Sequence, residues 1–356
     1  MNAMRLRPIG RWISMVWVAV TLAACGGGGG DPGEPAAPAP NPPVADARSG
    51  NYTMMAVNGK EYTLALDFDA STYKVTGNGV DQGGTFSASG SEFRFQPGNS
   101  TGTTGTSTTR FTLADNTVVG EVGLPEGAVP FIAPRVFEDT LAGAVGRFNL
   151  LGRTLNADGS VDNTSIQQGE VTADGQLRTC NDFTIFEIAS CPVASIASGT
   201  VTVAGSLYTA QFDVGNVLFR IAKIGGDKLF VRASPSAAGA TRFMIGTPAT
   251  TSFAPGSFVG GTSEPAWGTM AIGSGGGSST FTFTVTGTSP SGVTTTRTGT
   301  AVAVGAAAAD TRASLLGATT ADAGSFFIVR SAGIGAVIAA RDSTLARGFI
   351  ALGNRQ

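Results

Sequence analysis

The chain has 356 residues with 23 basic and 25 acidic side chains, a formal net charge of −2. That balance offers no basic footprint for nucleic acid and no polybasic attraction to anionic lipid. Histidine is absent throughout, which excludes Ser-His-Asp and Cys-His catalysis, HExxH zinc sites, histidine ligation of haem and any histidine pH switch.

At the N-terminus Arg5, Arg7 and Arg11 precede the apolar run WISMVWVAVTLAA, residues 12–24, with no acidic residue before Asp31. As a helix this run rises about 20 Å, short of the roughly 30 Å of hydrocarbon a membrane span must cross. A basic start, a short apolar stretch and small residues at its end describe a secretory signal peptide over residues 1–24. The tetrad Leu22-Ala23-Ala24-Cys25 resembles the lipobox of bacterial lipoproteins. The resemblance implies cleavage before Cys25 and lipidation of its thiol, so that the membrane is a partner through lipid. With Gly26 rather than Asp next in the chain, it also implies sorting to the outer membrane, on a face it does not specify. One acyl chain holds a protein only marginally, whereas two or three hold it stably. An ordinary signal peptide cut near Ala24 is the alternative.

Residues 25–47 form a linker. Gly26 to Gly30 are consecutive glycines, and DPGEPAAPAPNPPVADA follows. Proline-rich chain favours extended polyproline geometry at about 3.1 Å per residue, which makes this segment a spacer. Loss of the leader arginines leaves 20 basic against 25 acidic residues, a net charge near −5.

The body alternates apolar and polar residues. YTLALDF (62–68) puts Tyr62, Leu64, Leu66 and Phe68 on one face, and SEFRFQPG, TGTVTVAGSLYTAQFDVG and SSTFTFTVTG keep the same period of two. Such alternation predicts half-buried antiparallel strands. Asp158-Gly159 and Asp174-Gly175 suit tight hairpin turns. Helical pattern is confined to FEDTLAGAV (137–145) and AAAADTRASLL (306–316).

An internal repeat organises these strands. FTLADNTVV, FRIAKIGGDKLFVRAS and FIVRSAGIGAVIAARDS start at Phe111, Phe219 and Phe327, at a spacing of 108 residues. A second set, Gly50-Asn51-Tyr52, Gly146-Arg147-Phe148 and Gly256-Ser257-Phe258, marks the starts of units. A period near 108 is too long for a solenoid turn. The prediction is an all-β protein of two or three antiparallel β-barrel or β-sandwich units, about 100 residues each. Their expected limits are 48–137, 138–236 and 237–356. A membrane-spanning barrel is disfavoured: Trp267 is the only tryptophan after the leader, and such barrels carry aromatic girdles.

With Cys25 assigned to lipid, Cys180 and Cys191 remain as an even pair in an oxidising compartment, which predicts a disulfide across TCNDFTIFEIASC. Metal binding by the two thiolates is the alternative, although neither half of a familiar zinc pattern is present.

The lipobox, the Gly/Pro linker, VPFIAPRVFEDTLAGAVGRFNLLG (129–152), the Cys180/Cys191 pair and DKLFVRASPSAAGATRFMIG (227–246) occur in that order. In this the chain resembles a group of uncharacterised β-rich proteobacterial lipoproteins. The resemblance implies compartment and fold class and carries no activity.

Candidate sites are sparse. LNADGSVDNTS (155–165) sets Asn156, Asp158, Asp162 and Asn163 around a glycine, a partial calcium-loop pattern without the bidentate closing acid. A polar hairpin is the simpler reading. Asp67 and Asp69 sit two apart on a predicted strand, where paired carboxylates would suit glycoside hydrolysis; the solvated face of the strand is the preferred reading. Ser71-Thr72-Tyr73-Lys74 matches S-x-x-K, and Arg297-Thr298-Gly299 mimics a companion motif of penicillin-recognising enzymes, but the context is strand rather than helix. The Gly/Ser/Thr stretches 101–110 and 273–280 lead into strands, which does not suit phosphate cradles. Trp267 reads as core before it reads as a sugar platform. No cofactor and no catalytic set is implied. The expected function is a non-enzymatic binding or interaction module at the cell envelope, with an unidentified envelope or extracellular ligand. A carboxylate-based hydrolase of envelope or extracellular glycans is the alternative.

Overall fold

The structure, a computed structural model, describes residues 44–98, 109–182, 185–235, 239–249, 256–264, 266–274, 280–289, 292–303, 315–320, 325–331, 333–339 and 348–356. The protein is all-β. Its strands form three closed eight-stranded antiparallel barrels, from β1 (Gly50–Ala56) to β8 (Gly127–Pro134), β9 (Gly146–Leu155) to β16 (Thr241–Pro248), and β17 (Gly256–Thr262) to β24 (Ile350–Arg355).

The sequence repeat is the barrel repeat. Phe111, Phe219 and Phe327 lie on β6 (Arg110–Ala114), β14 (Gly215–Ile224) and β22 (Ser325–Arg330), the sixth strand of each barrel. The Gly-x-aromatic starts fall on β1, β9 and β17, the first strands, with Tyr52, Phe148 and Phe258 buried. The expected unit limit at 236/237 is displaced, because β16 closes the second barrel by pairing with both β9 and β15 (Asp227–Pro235). A strand lacking both partners would leave two unpaired edges.

Local signals explain the elements. On β2 (Glu61–Asp67) Tyr62, Leu64 and Leu66 are buried while Thr63 and Asp67 are exposed. Gly159 and Gly175 adopt φ of 82° and 81° in their hairpin turns. Asp115 and Asn116 also have positive φ, 45° and 63°, the conformation a type I′ turn requires. Within 137–145 only α1 (Leu141–Ala144) is helical, started by the Thr140 hydroxyl, which accepts from the Gly143 N–H at 3.1 Å. The second helical expectation fails where it is described: residues 306–314 lie outside the described residues, and Leu315–Thr320 is a strand, β21.

Half-burial does not hold everywhere. β7 (Thr117–Leu124), β8, β23 (Ile334–Ala339) and most of β24 are buried on both faces. These are the seventh and eighth strands of their barrels, and their outer faces meet neighbouring barrels. One apolar core joins Met55 and Ile132 of the first barrel, Leu151, Val231 and Phe243 of the second, and Val329, Ile338 and Leu352 of the third. Residues 45–356 are accordingly one compact unit.

Polar contacts reinforce the joints. Glu61 receives two hydrogen bonds from Arg220, at 2.8 and 3.1 Å, and the Thr241 hydroxyl donates to the Asn58 carbonyl. The Asn354 amide donates to the Thr112 carbonyl, at 3.2 Å, and to the Thr117 carbonyl, also at 3.2 Å. Glu121 is buried at the same joint, with Gly261 of β17 packed on its Cβ and its Oε1 unpartnered.

A row of glycines crosses the third barrel. Gly287 on β19 (Thr280–Thr288), Gly268 on β18 (Ala266–Ser274), Gly260, Gly353 and Gly335 stand in register on adjacent strands. Glycine in such positions lets a sheet bend sharply and strands approach closely.

Cys180 and Cys191 form the disulfide, with Cα atoms 5.8 Å apart, and pack with Ile188. The closed segment lies against β10 (Val161–Val171): the Gln168 N–H donates to the Phe186 carbonyl, and its side-chain carbonyl accepts from Ile188. Replacing both cysteines by serine is expected to cost about 2–3 kcal/mol through the freed loop. Guanidinium denaturation of the oxidised wild type and the double variant checks this; coincident midpoints would refute it.

Candidate functional site

The acids singled out from sequence do not converge. Asp67 Oδ1 accepts from the Ala70 N–H at 2.8 Å, while the Asp69 carboxylate accepts from the Asp46 N–H at 3.1 and 3.2 Å. Each is exposed and engaged with a turn rather than facing its neighbour. Hydrolysis by paired acids needs two carboxyls flanking one bond, and here each carboxylate accepts from a backbone N–H instead. Ser71 lies in a turn at φ 55°, and Lys74 on β3 (Thr72–Gly77) pairs with Asp81 at 3.0 Å.

The partial calcium loop closes on itself. Asp158 Oδ1 accepts from the Ser160 N–H at 2.9 Å and from its hydroxyl at 2.6 Å, and the Asn156 amide donates to that hydroxyl at 3.0 Å. Asp162 is exposed on β10. Among the described residues no cluster of three or more acids, cysteines or histidines is placed to hold a metal ion. Trp267 is buried on β18, so it presents no platform. Cys25 and the stretch 101–108 lie outside the described residues.

The arrangement with chemical content is inside the second barrel, and pattern reading missed it. Strand alternation sends Phe148 and Leu150 of β9, Phe230 of β15 and Met244 of β16 into one apolar cluster with Leu177, Tyr208 and Phe219. Leu151, Val231, Phe243 and Ile245, at the alternate positions, face the neighbouring barrels. At the end where β9 begins, α1 closes the barrel: Ala144 is buried in the cluster, Leu141 packs on it, and Tyr208 donates to the Thr140 carbonyl at 2.8 Å.

Toward the other end the same inward face turns cationic. Arg232 follows Phe230 by two positions on β15, and Arg242 precedes Met244 by two on β16. Because a side chain and its second neighbour share a face, both arginines point inward. Arg242 lies opposite Ser234 in the register, two residues along from the Arg232–Met244 pair and on the same face. The Arg232 Nε donates to the Ser234 hydroxyl at 2.8 Å, and Arg242 Nη2 donates to Ser165 at 3.1 Å. Arg242 Nε is buried without any acceptor. Gly152 makes the room: a Cβ there would lie 2.5 Å from Ser165 Oγ and 3.7 Å from Arg242 Nη2.

A pocket of about 160 Å³ adjoins this pair, lined by Leu177, Phe230 and Met244 below and by Gln167, Arg232 and Arg242 around it. Burial, and secondarily the charge of Arg242, push the Arg232 guanidinium down to about 10; burial also lowers Arg242. Arginine keeps its charge in proteins, so the two side chains are a pair of cations. Among the described residues no carboxylate pairs with either. Another arginine, the half-buried Arg153, is on the outward face, where its Nη1 donates to the Val57 carbonyl of the first barrel at 3.4 Å.

A sequence signal for the pair existed. In KLFVRAS and TRFMIG an arginine stands two positions from Phe230 or Met244 and so shares its face. It is readable only once the register is known. Comparison with known proteins adds no analogy, since no family model, curated protein or solved structure matches this chain.

Proposed function

We propose that this chain is a non-enzymatic binding module of the cell envelope, held at the outer membrane by lipid on Cys25 and set off from it by the Gly/Pro linker. The observation that carries the binding reading is the second barrel, floored by α1 and holding a pocket beside two cations. Protein interiors are close-packed, so a cavity lined by apolar side chains with a few aimed polar groups is the form a ligand site takes. The separate placement of Asp67 and Asp69 supports this reading over a glycan hydrolase.

The anchor is tested by palmitate labelling, fractionation and protease shaving of cells producing wild type or Cys25→Ala. Wild type is expected to be labelled and to sediment with the outer membrane, and the variant to be unlabelled and released. An unlabelled wild type would refute the anchor. Release of sugar fragments from peptidoglycan or exopolysaccharide by the purified chain would refute the non-enzymatic reading.

A further inference from the structure

Resting on the binding reading, we infer that the second barrel is a binding site for a small carboxylate with a compact apolar body, its carboxylate held by Arg232 and Arg242 and its body seated on Phe230, Met244 and Leu177.

The first argument is charge balance. Arg232 is 7 % exposed, and a charge so enclosed is ordinarily paired, because desolvation is costly unless a counter-charge and hydrogen bonds replace water. Here two guanidiniums stand two residues out of register on one face of adjacent strands, with hydroxyls as their hydrogen-bond partners. Each guanidinium has five N–H donors; among the described residues Arg232 donates through Nε to Ser234 and Arg242 through Nη2 to Ser165, while Arg242 Nε has no acceptor. An anion supplies the missing acceptors and the missing charge together. Planar guanidinium forks match a carboxylate in a bidentate manner.

The second argument is space. A Cβ at Gly152 would lie 2.5 Å from Ser165 Oγ, so the bare backbone leaves room for the hydroxyl that accepts from Arg242. The pocket beside it, about 160 Å³, compares with the ~150 Å³ cavity that accepts benzene in another protein. Its floor is apolar and aromatic. A bare inorganic anion would leave that floor unfilled, whereas an aryl or short branched carboxylate fills it while meeting the cations.

Confining two like charges there costs stability, a cost that a ligand would offset and that replacement by apolar residues of similar volume should also remove.

The test is calorimetric titration of the detergent-solubilised full chain with benzoate, its neutral analogue benzamide, and inorganic phosphate, with thermal melts of ligand-free protein in parallel. Benzoate is expected to bind, with benzamide weaker by about tenfold or more, on the scale of one charge-assisted hydrogen bond. Arg232→Met and Arg242→Met are each expected to weaken benzoate by a similar factor, and ligand-free Arg232→Met to melt no lower than wild type. Equal affinity for benzoate and benzamide would overturn the role of charge, a comparison that needs no variant. Phosphate binding without benzoate binding would overturn the apolar body. No binding of any probe, or benzoate binding unchanged in both variants, would overturn the site. A lower melting temperature in ligand-free Arg232→Met would make the pair a structural element and overturn it as well. None of these outcomes bears on the anchor, and enzymatic turnover remains the separate test of the binding reading.

Discussion

Glu121→Gln is expected to stabilise the protein by about 3 kcal/mol at pH 8 and to leave it nearly unchanged at pH 4. Glu121 is 2 % exposed between the first and third barrels, and burial pushes its carboxyl up from 4.5 to about 7 against a partial pull from Arg110. Below the unfolded value of 4.5 both states hold the proton, and the residue contributes no pH dependence. As pH rises from there to about 7, the unfolded chain releases the proton while the folded chain retains it, so stability falls. Above about 7 both states are ionised and the whole cost is present. That cost, at about 1.4 kcal/mol per pH step, is about 3 kcal/mol. Glutamine keeps the shape of the protonated acid and never ionises. Urea denaturation of both proteins at pH 4, 6 and 8 checks this, and parallel stability profiles would refute the assignment.

Gly268→Ala is expected to cost about 3 kcal/mol or more, the upper range for forcing volume into packed structure. An added Cβ would overlap the Thr286 carbonyl oxygen on the neighbouring strand, and its next nearest atoms are also backbone. A side chain could rotate away; a hydrogen-bonded strand cannot without disturbing β18–β19 pairing. Gly90→Ala is the control, since its φ is +66° with open space around the Cβ. It incurs only the left-handed backbone penalty, about 1–2 kcal/mol. Thermal or denaturant melts of both variants decide between the effects. A Gly268→Ala protein no less stable than Gly90→Ala would mean the glycine row is incidental.

Both predictions concern joints that residue patterns do not announce. Glu121 sits in TVVGEVGL, where a charged residue in an alternating strand reads as solvent-facing. It is buried because the outer face of β7 meets the third barrel. The row of five glycines from Gly260 to Gly353 is spread over about ninety residues of sequence and becomes a row only when the strands align.

What the sequence determined by itself is what local physics controls. Period-two alternation selects strands, Asp-Gly pairs select hairpins, and the 108-residue return of Phe111, Phe219 and Phe327 selects a repeated unit. An even cysteine pair was enough to predict the Cys180–Cys191 bond. The absence of histidine limits the chemistry whatever the fold. Only the tertiary structure decided that each unit closes as an eight-stranded barrel and that Thr241–Pro248 belongs to the second. It also decided that outer strand faces fuse into one core, and that Arg232 and Arg242 face inward together. The physical reason is common to all four. Alternation states that a strand has two faces, but register and barrel closure decide which face is inside, and packing between barrels decides whether the other meets water.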